Sequence, residues 1–141
     1  MKFRKMMGVT AAFLCAALAL SGCGSTDETA YRIGIVQQDE HSSLDAATQG
    51  FEDKLMELLG EENVTFDYQN AQGEQANSTT IATKFVSDGC DLILANGTTA
   101  LQSAAAATAD IPIVGTSVTD YIAAGAVNSN EKPGTNVTGV S

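Results

Sequence analysis

Hydrophobic positions along the chain follow two alternating spacings, which predict strands and helices in turn. Residues 31–37 carry Ile33, Ile35 and Val36 in a short apolar stretch typical of a strand. Residues 44–59 place apolar side chains three and four apart, the spacing of an amphipathic helix, and Gly60 can end that helix. By the same criteria we expect strands at residues 64–68, 92–95, 111–114 and 136–140, helices at 74–88 and 98–108, and a short helical turn at 119–124.

Short connections between these elements predict an α/β fold. Strands that alternate with helices form a parallel sheet, and right-handed crossovers cover both of its faces, which gives a doubly wound, Rossmann-like lobe. Ligands of such sheets sit beyond the carboxyl ends of the strands. Residues 38–45, 96–99 and 116–120 each follow a predicted strand and precede a predicted helix, so they are the candidate binding segments.

The segment Asn96-Gly97-Thr98-Thr99 carries the clearest chemistry of the three. Gly97 allows a sharp turn and a close approach of the backbone. Thr98 and Thr99 offer hydroxyl groups and free amide N–H groups at a helix start, which attracts a carboxylate or a phosphate. A plain helix cap needs the same residue types, so both interpretations remain open.

The other two segments also combine hydroxyl and acidic groups. Thr116, Thr119 and Asp120 repeat the pattern with an acid that could face a ligand ammonium, although Thr119 or Asp120 could equally cap a helix. The loop at residues 38–45 contains Glu40 and His41, and Ser42 or Ser43 can cap the helix that follows. No nucleophile or metal-ligand set accompanies His41, so we predict no catalytic site, metal or cofactor and expect this histidine to pack or hydrogen-bond.

The first 22 residues differ from the rest. Three basic residues precede an apolar run at residues 6–20, an order typical of an export signal. The run has 15 residues, short of the about 20 that a membrane-spanning helix needs. The order Leu20-Ser21-Gly22-Cys23 resembles the bacterial lipobox, in which Cys23 becomes a lipidated N-terminus, with palmitate among the expected acyl chains. We expect residues 1–22 to be removed and residues 23–30 to form a flexible tether; an ordinary signal peptide with a chance cysteine is the alternative.

Charge and cysteine content narrow the list of partners. Residues 23–141 hold four basic and 17 acidic residues, a net charge of −13. Nucleic acid is therefore excluded as a partner, because phosphate binding needs clustered basic side chains.

Cys90 is the one cysteine left after Cys23 takes its lipid, and its apolar sequence neighbours indicate a buried structural thiol.

Residues 31–141 resemble the first lobe of an ABC transporter substrate-binding lipoprotein, in the subfamily that includes tryptophan- and tyrosine-binding proteins related to type I periplasmic binding proteins. The resemblance is carried by residues 32–37, Glu40-His41 with residues 44–46, Gly50-Phe51, residues 66–73 with 75–77, residues 111–114 and 118–120, and residues 131–141. The family often has proline after the Thr-Asp pair and after Glu-His, where this chain has Tyr121 and Ser42.

The resemblance implies two α/β lobes joined by a hinge, with an amino acid, aromatic or apolar, bound between them. It implies an extracytoplasmic protein that is tethered to the cell membrane and works with an ABC permease and ATPase. The ligand-facing candidates that it implies are Glu40, His41, Asn96, Gly97, Thr98, Thr99, Thr116, Thr119 and Asp120. Tyr121 could offer a flat face to a ligand ring or pack into the lobe.

The end of the chain falls in the strand that should lead into the hinge, so we expect one lobe that binds weakly or not at all when alone. Three other hypotheses remain. They are a sensor that signals to a membrane kinase, a non-functional fragment, and, ranked last, a surface enzyme that uses His41 with a carboxylate.

Overall fold

One parallel sheet organises residues 30–141, the part of the chain that this computed structural model describes. The strands are β1 (Tyr31–Gln37), β2 (Val64–Asn70), β3 (Leu92–Asn96), β4 (Ile113–Thr116) and β5 (Val137–Gly139), and the helices are α1 (Ser42–Leu59), α2 (Gln75–Ser87) and α3 (Thr98–Ala107), with a 3-10 turn at Glu61–Asn63. The strand order is β2-β1-β3-β4-β5, and every pair is parallel. The predicted doubly wound α/β class is confirmed.

Both faces of the sheet are covered, because successive side chains of each buried strand point to opposite sides. Ile33, Ile35 and Leu94 pack with apolar residues of α1 on one face. Val36, Ile93 and Ala95 pack against α2 and α3 on the other face, where Phe85, Leu101 and Cys90 are also buried. A Cβ atom on Gly34 would lie 2.6 Å from the Phe85 ring, which explains a glycine inside a central strand.

Cys90 is a buried free thiol, as its apolar neighbours predict. Burial raises the pKa of this thiol, and the nearby Asp67 carboxylate acts in the same direction. The thiolate that would make a cysteine reactive is therefore disfavoured here, and the residue acts as a small apolar side chain of the core.

The start of β4 differs from the prediction. The predicted strand covered residues 111–114, whereas β4 begins two residues later at Ile113. Pro112 has no N–H to donate to the ladder. The Asn136 side-chain amide instead donates to the Ile111 carbonyl at 2.7 Å, and the Ile113 N–H donates to the Asn136 carbonyl at 2.9 Å. The apolar character of Ile111 reflects partial burial outside the strand.

The start of α1 also needs a correction. Neither Ser42 nor Ser43 is the N-cap, because α1 begins at Ser42 and His41 is the residue that caps it. At the other end Gly60 has a φ of 89° and donates its N–H to the Met56 carbonyl at 2.9 Å, so the predicted stop is confirmed. The predicted helical turn at residues 119–124 is a set of overlapping turns at residues 121–125, closed by three backbone hydrogen bonds.

The predicted export signal, the lipobox with Cys23 and all but the last residue of the tether lie outside the described residues. In residues 30–141 no helix is both long enough and apolar enough to cross a membrane.

Candidate functional site

The three candidate segments meet at one edge of the sheet, because all five parallel strands end there. In the ladder Gln37 pairs with Asn96, and Asn96 pairs with Thr116. Backbone hydrogen bonds join the loops that follow. The Gln38 N–H donates to the Asn96 carbonyl at 2.9 Å, and the Gly97 N–H donates to the Thr116 carbonyl at 3.0 Å. The loops after β1, β3 and β4 therefore form one continuous surface.

Gln38 is at the centre of this surface, although its sequence pattern did not single it out. Its side-chain oxygen accepts a hydrogen bond from the Thr99 N–H at 3.0 Å, and its carbonyl accepts one from the Gly73 N–H at 2.8 Å. The residue thus connects the loop after β1 to the start of α3 and to the loop after β2. The feature that could have identified Gln38 is its position directly after the first strand, beside the point where the strand order reverses.

Gly97 allows the close approach that was predicted for it. Its φ is 111°, a conformation that side chains rarely adopt, and it is the N-cap of α3. A Cβ atom at this position would lie 2.6 Å from the Gln38 Cβ and 2.7 Å from the Gln38 side-chain oxygen. Only glycine lets the Gln38 side chain lie across the start of α3.

Thr98 and Thr99 form the first turn of α3, as predicted, and both are half-buried. Neither side chain caps the helix, because no side-chain cap bond is formed and the N-cap is Gly97. The Thr99 N–H, one of the groups considered for a ligand carboxylate, is bonded to Gln38. The positive end of the α3 dipole is therefore shared with a neutral amide of the protein itself.

Glu40 and His41 are exposed in the loop between β1 and α1. The His41 Nδ1 atom accepts from the Ser43 N–H at 3.2 Å and lies 2.8 Å from the Ser43 hydroxyl oxygen. An Nδ1 atom that accepts carries no proton, so the neutral ring carries its proton on Nε2. Both contacts are local to the helix start. They agree with the expectation that His41 hydrogen-bonds, and they orient its Nε2–H away from the cap.

Asn96 lies beneath the surface and not on it. Its side chain is fully buried, and its amide nitrogen donates to the Leu44 carbonyl at 2.7 Å and to the Thr48 hydroxyl at 2.9 Å. Its side-chain oxygen has no partner among residues 30–141. The Thr48 hydroxyl in turn donates to the Gln37 side-chain oxygen at 2.8 Å. This buried network, which we call the Gln37–Thr48–Asn96 network, ties the first turns of α1 to β1 and β3.

Gln37 extends the same network towards the surface. Its side-chain nitrogen donates to an Asp45 carboxylate oxygen at 2.7 Å and to the Asp39 carbonyl at 2.9 Å. The sequence offered no signal for Gln37, because a polar residue at the end of an apolar strand indicates no more than the start of a loop. Its effect is to hold the loop with Glu40 and His41 at a fixed height above the sheet.

The third segment carries Thr116, Thr119 and Asp120 to the same edge. Thr116 is half-buried at the end of β4, while Thr119 and Asp120 are exposed. One Asp120 carboxylate oxygen accepts from the N–H groups of Ile122 and Ala123, both at 2.9 Å, so Asp120 caps the short turn that follows. Its second oxygen has no hydrogen-bond partner within the described part of the chain and remains open to a ligand.

Tyr121 packs into the lobe, the second of the two expectations for it. The side chain is buried, and its hydroxyl donates to the Val140 carbonyl at 2.9 Å. A Cβ atom on Gly115 would lie 2.7 Å from the Tyr121 ring, so the ring covers β4 closely. Burial raises the pKa of Tyr121, and the bond to the Val140 carbonyl opposes that rise.

Two open hollows flank the centre of the edge. One has a volume of about 640 Å³ and is lined by Asp39, Glu40, Asp45, Tyr68, Asn70 and Gln72. The other, of about 540 Å³, includes Thr119, Asp120, Tyr121, Thr138 and Val140 in its lining. Gln72 and Ser117, the two described non-glycine residues with positive φ, both lie in loops of this edge. Strained backbone of this kind is concentrated at ligand sites in many proteins.

The chemistry of the edge suits a small zwitterion. Neutral donors, namely amide and hydroxyl groups and the start of α3, occupy the centre, where a carboxylate can bind. Exposed carboxylates of Glu40 and Asp120 stand towards the sides, where an ammonium group can bind. Across residues 30–141 no group of three or more His, Cys, Asp or Glu side chains is arranged to hold a metal ion.

Comparisons with known proteins agree with this architecture. The family described as ABC transporter substrate binding protein matches residues 32–141. The tyrosine-binding protein of Clostridioides difficile (strain R20291) is 41% identical over 156 aligned residues, an alignment that covers 99% of this chain and 45% of that protein.

Solved structures show the same relationship. The ligand-free, open structure of a substrate-binding protein with adhesive properties from Clostridium difficile is 48% identical, with a TM-score of 0.76 over 79% of this chain and 38% of that one. An ABC domain in complex with L-Trp from Streptococcus pneumonia is 38% identical, with a TM-score of 0.76 over 80% and 39% of the two chains. A conserved domain protein from Vibrio cholerae is 39% identical, with a TM-score of 0.77 over the same shares.

The chain belongs to the family of ABC transporter substrate-binding proteins, a family of binding proteins and not of enzymes. It spans about 45% of the length of the curated relative and about 38–39% of the solved structures, so residues 30–141 correspond to about one lobe of those proteins.

Proposed function

We propose that residues 31–141 are the first lobe of a two-lobed extracytoplasmic protein that binds an amino acid and delivers it to an ABC importer. The main support for this proposal is the polar surface at the carboxyl edge of the sheet. Three loops are joined there by hydrogen bonds into one polar surface, and both hollows beside it are open to solvent. Sites for small molecules enclose about 70–90% of the ligand. An open surface of this kind therefore needs a second wall, which a second lobe would provide.

The ligand class follows from the same surface and from the relatives. One relative carries the name tyrosine-binding protein, and another was solved with L-Trp. Both ligands have a carboxylate and an ammonium group, the two charges for which this edge offers partners. We assign the carboxylate to the centre, near Thr98 and Thr99, and the ammonium to the free oxygen of Asp120 or to Glu40. The aromatic side chain of the ligand would then extend towards the second lobe.

The proposal includes a membrane anchor. The lipobox at residues 20–23 supports lipidation of Cys23, which would hold the protein at the cell membrane beside its permease and ATPase. One acyl chain binds a membrane only marginally, whereas two hold firmly. We expect Cys23→Ser to release the protein from the membrane fraction or to leave its signal uncleaved. Mass spectrometry of the mature wild-type protein provides the check, and an unlipidated N-terminus other than Cys23 would exclude the anchor.

Thermal unfolding tests the ligand class and the need for a second lobe together. The full-length natural protein should be stabilised by at least one of tryptophan, tyrosine, phenylalanine and leucine, because a ligand that binds only the folded state raises its stability. Residues 23–141 alone should show no shift with any of them. A clear shift with the single lobe would contradict the two-lobe argument. A full-length protein that responds to sugars or peptides and to no amino acid would contradict the ligand class.

A further inference from the structure

We infer that the side-chain nitrogen of Gln38 is a hydrogen-bond donor to the carboxylate of the bound ligand. This inference rests on the proposed function and adds to it one residue with a defined role. Gln38 stands between the ends of β1 and β3, where the chain leaves the sheet towards opposite faces. That reversal of strand order is the place where ligands of doubly wound sheets bind.

The orientation of the Gln38 amide follows from its partner. The Thr99 N–H can only donate, so the Gln38 atom that lies 3.0 Å from it must be the oxygen. The nitrogen, with its two N–H groups, is therefore on the other side of the amide. That nitrogen has no hydrogen-bond partner among residues 30–141, in contrast to the nitrogen of Gln37, which has two. Gln38 is half-buried, in the loop after β1 at the edge of the sheet where the candidate segments meet.

The backbone holds Gln38 in place before any ligand arrives. Its N–H and its carbonyl are both bonded, to Asn96 and to Gly73, and the absence of a Cβ on Gly97 leaves room for its side chain. A donor that is already fixed loses little conformational entropy on binding. The Thr99 N–H at the positive end of α3 also polarises the Gln38 amide, which strengthens its nitrogen as a donor.

The distribution of basic side chains favours a neutral donor at this place. Residues 30–141 contain four basic residues, Arg32, Lys54, Lys84 and Lys132. Three of them are engaged elsewhere: Arg32 with the Asp88 carbonyl, Lys54 with Glu57, and Lys84 with Asp67 and Asp88. Lys132 lies in the loop before β5, beyond the segments that contact Gln38. Within residues 30–141, the partners available to a ligand carboxylate beside Gln38 are therefore amide donors and the start of α3.

The test replaces Gln38 with glutamate in the full-length natural protein and measures binding of L-tyrosine, L-tryptophan and their carboxamides by calorimetry. A glutamate oxygen can still accept from the Thr99 N–H, and its charge suits the start of α3, so the fold is retained. The variant lacks the donor and repels a carboxylate. We expect Gln38→Glu to bind the amino acids about ten-fold more weakly or worse, the size expected for a lost bond to a charged group. The affinity for the carboxamides should fall much less.

The ratio of amino-acid affinity to carboxamide affinity is the decisive readout, because a general defect in folding weakens both ligands alike. Gln75→Glu is the matched control, since it adds the same charge at the exposed first position of α2, and it should leave the ratio at the wild-type value. If Gln38→Glu folds poorly, Gln38→Ala is measured by the same ratio. An unchanged ratio in the Gln38 variants overturns the inference. Wild-type protein that binds no amino acid overturns the proposed function, and the inference with it.

Discussion

The centre and the margin of the carboxyl edge are built differently. At the centre, between β1 and β3, Gln37 and Asn96 are 0% exposed, and Gln38 connects three loops by hydrogen bonds. At the margin, beside β4 and β5, Asp120 is exposed and Val140 is 68% exposed. The margin is joined to the lobe by the β4–β5 ladder, by the Val140 N–H, which donates to the Gly115 carbonyl at 3.1 Å, and by the ring and hydroxyl of Tyr121.

The centre and the margin differ in burial because they differ in the number of strands and helices that surround them. A residue at the end of a central strand has a strand on each side and a helix above, so its polar atoms must find partners inside the protein. β5 has one described neighbouring strand, and its residues after Val137 are exposed. The centre is therefore held in one conformation by the protein's own hydrogen bonds, whereas the margin can change its conformation at lower cost.

The largest effect should come from Gly97→Ala at the centre. The new Cβ would meet the Gln38 Cβ at 2.6 Å, and the φ of 111° is unfavourable for alanine. Backbone strain and overpacking each cost about 1–3 kcal/mol. We expect a loss of about 3 kcal/mol or more in the free energy of unfolding, measured by urea denaturation.

Gly50→Ala is the matched control for Gly97→Ala. Gly50 is exposed within α1, and a Cβ there would meet nothing within 4 Å. Alanine is favoured over glycine in a helix by about 0.5–1 kcal/mol, so this variant should be slightly more stable than the wild-type protein. Equal losses in the two variants would contradict the account of Gly97.

Thr48→Val tests the Gln37–Thr48–Asn96 network and should have the next largest effect. Valine keeps the shape of the side chain but removes the hydroxyl that bonds to both Gln37 and Asn96. A buried polar atom without a partner costs about 1–3 kcal/mol, so we expect a loss of about 2–3 kcal/mol in denaturation. Thr65→Val, at an exposed position of β2 where the hydroxyl makes one long contact of 3.4 Å, should change stability by less than about 0.5 kcal/mol. A Thr48→Val protein as stable as the wild type would show that the network contributes nothing.

Tyr121→Phe tests the margin and should have a smaller effect. The ring and its packing on β4 remain, and the hydroxyl bond to the Val140 carbonyl is lost. A single hydrogen bond of this type contributes about 0.5–1.5 kcal/mol, so we expect a loss of about 1 kcal/mol in the free energy of unfolding. A loss as large as that of Thr48→Val would remove the contrast between centre and margin.

The pH dependence of stability should show the smallest effect. Burial raises the pKa of Tyr121 above its ordinary value of 10.0, so the folded lobe favours the protonated phenol. The resulting stabilisation is present below about pH 10 and is lost as the pH rises through the folded-state pKa. Wild-type protein should therefore lose stability more steeply than Tyr121→Phe above about pH 10, in denaturation experiments on the two proteins. Parallel curves would contradict a raised pKa for Tyr121.

The sequence by itself predicted the order of elements and the edge of the sheet where the candidate segments meet. Helical and strand periodicities are local, so the bounds of β1 and the ends of α1 and α2 could be predicted within one or two residues. Parallel strands end at one edge whatever their order, so the loops after β1, β3 and β4 had to lie on the same side. The expectation that Cys90 is buried also depended on local sequence alone.

Only the tertiary structure decided which side chains face that edge. Asn96 is buried because Leu44 and Thr48 lie against it, and Gln38 is central because Thr99 donates to it. These partners are 48 to 61 residues away along the chain. Hydrogen bonds over such separations depend on how helices and strands pack together, and a local pattern of polar and apolar residues does not predict that packing.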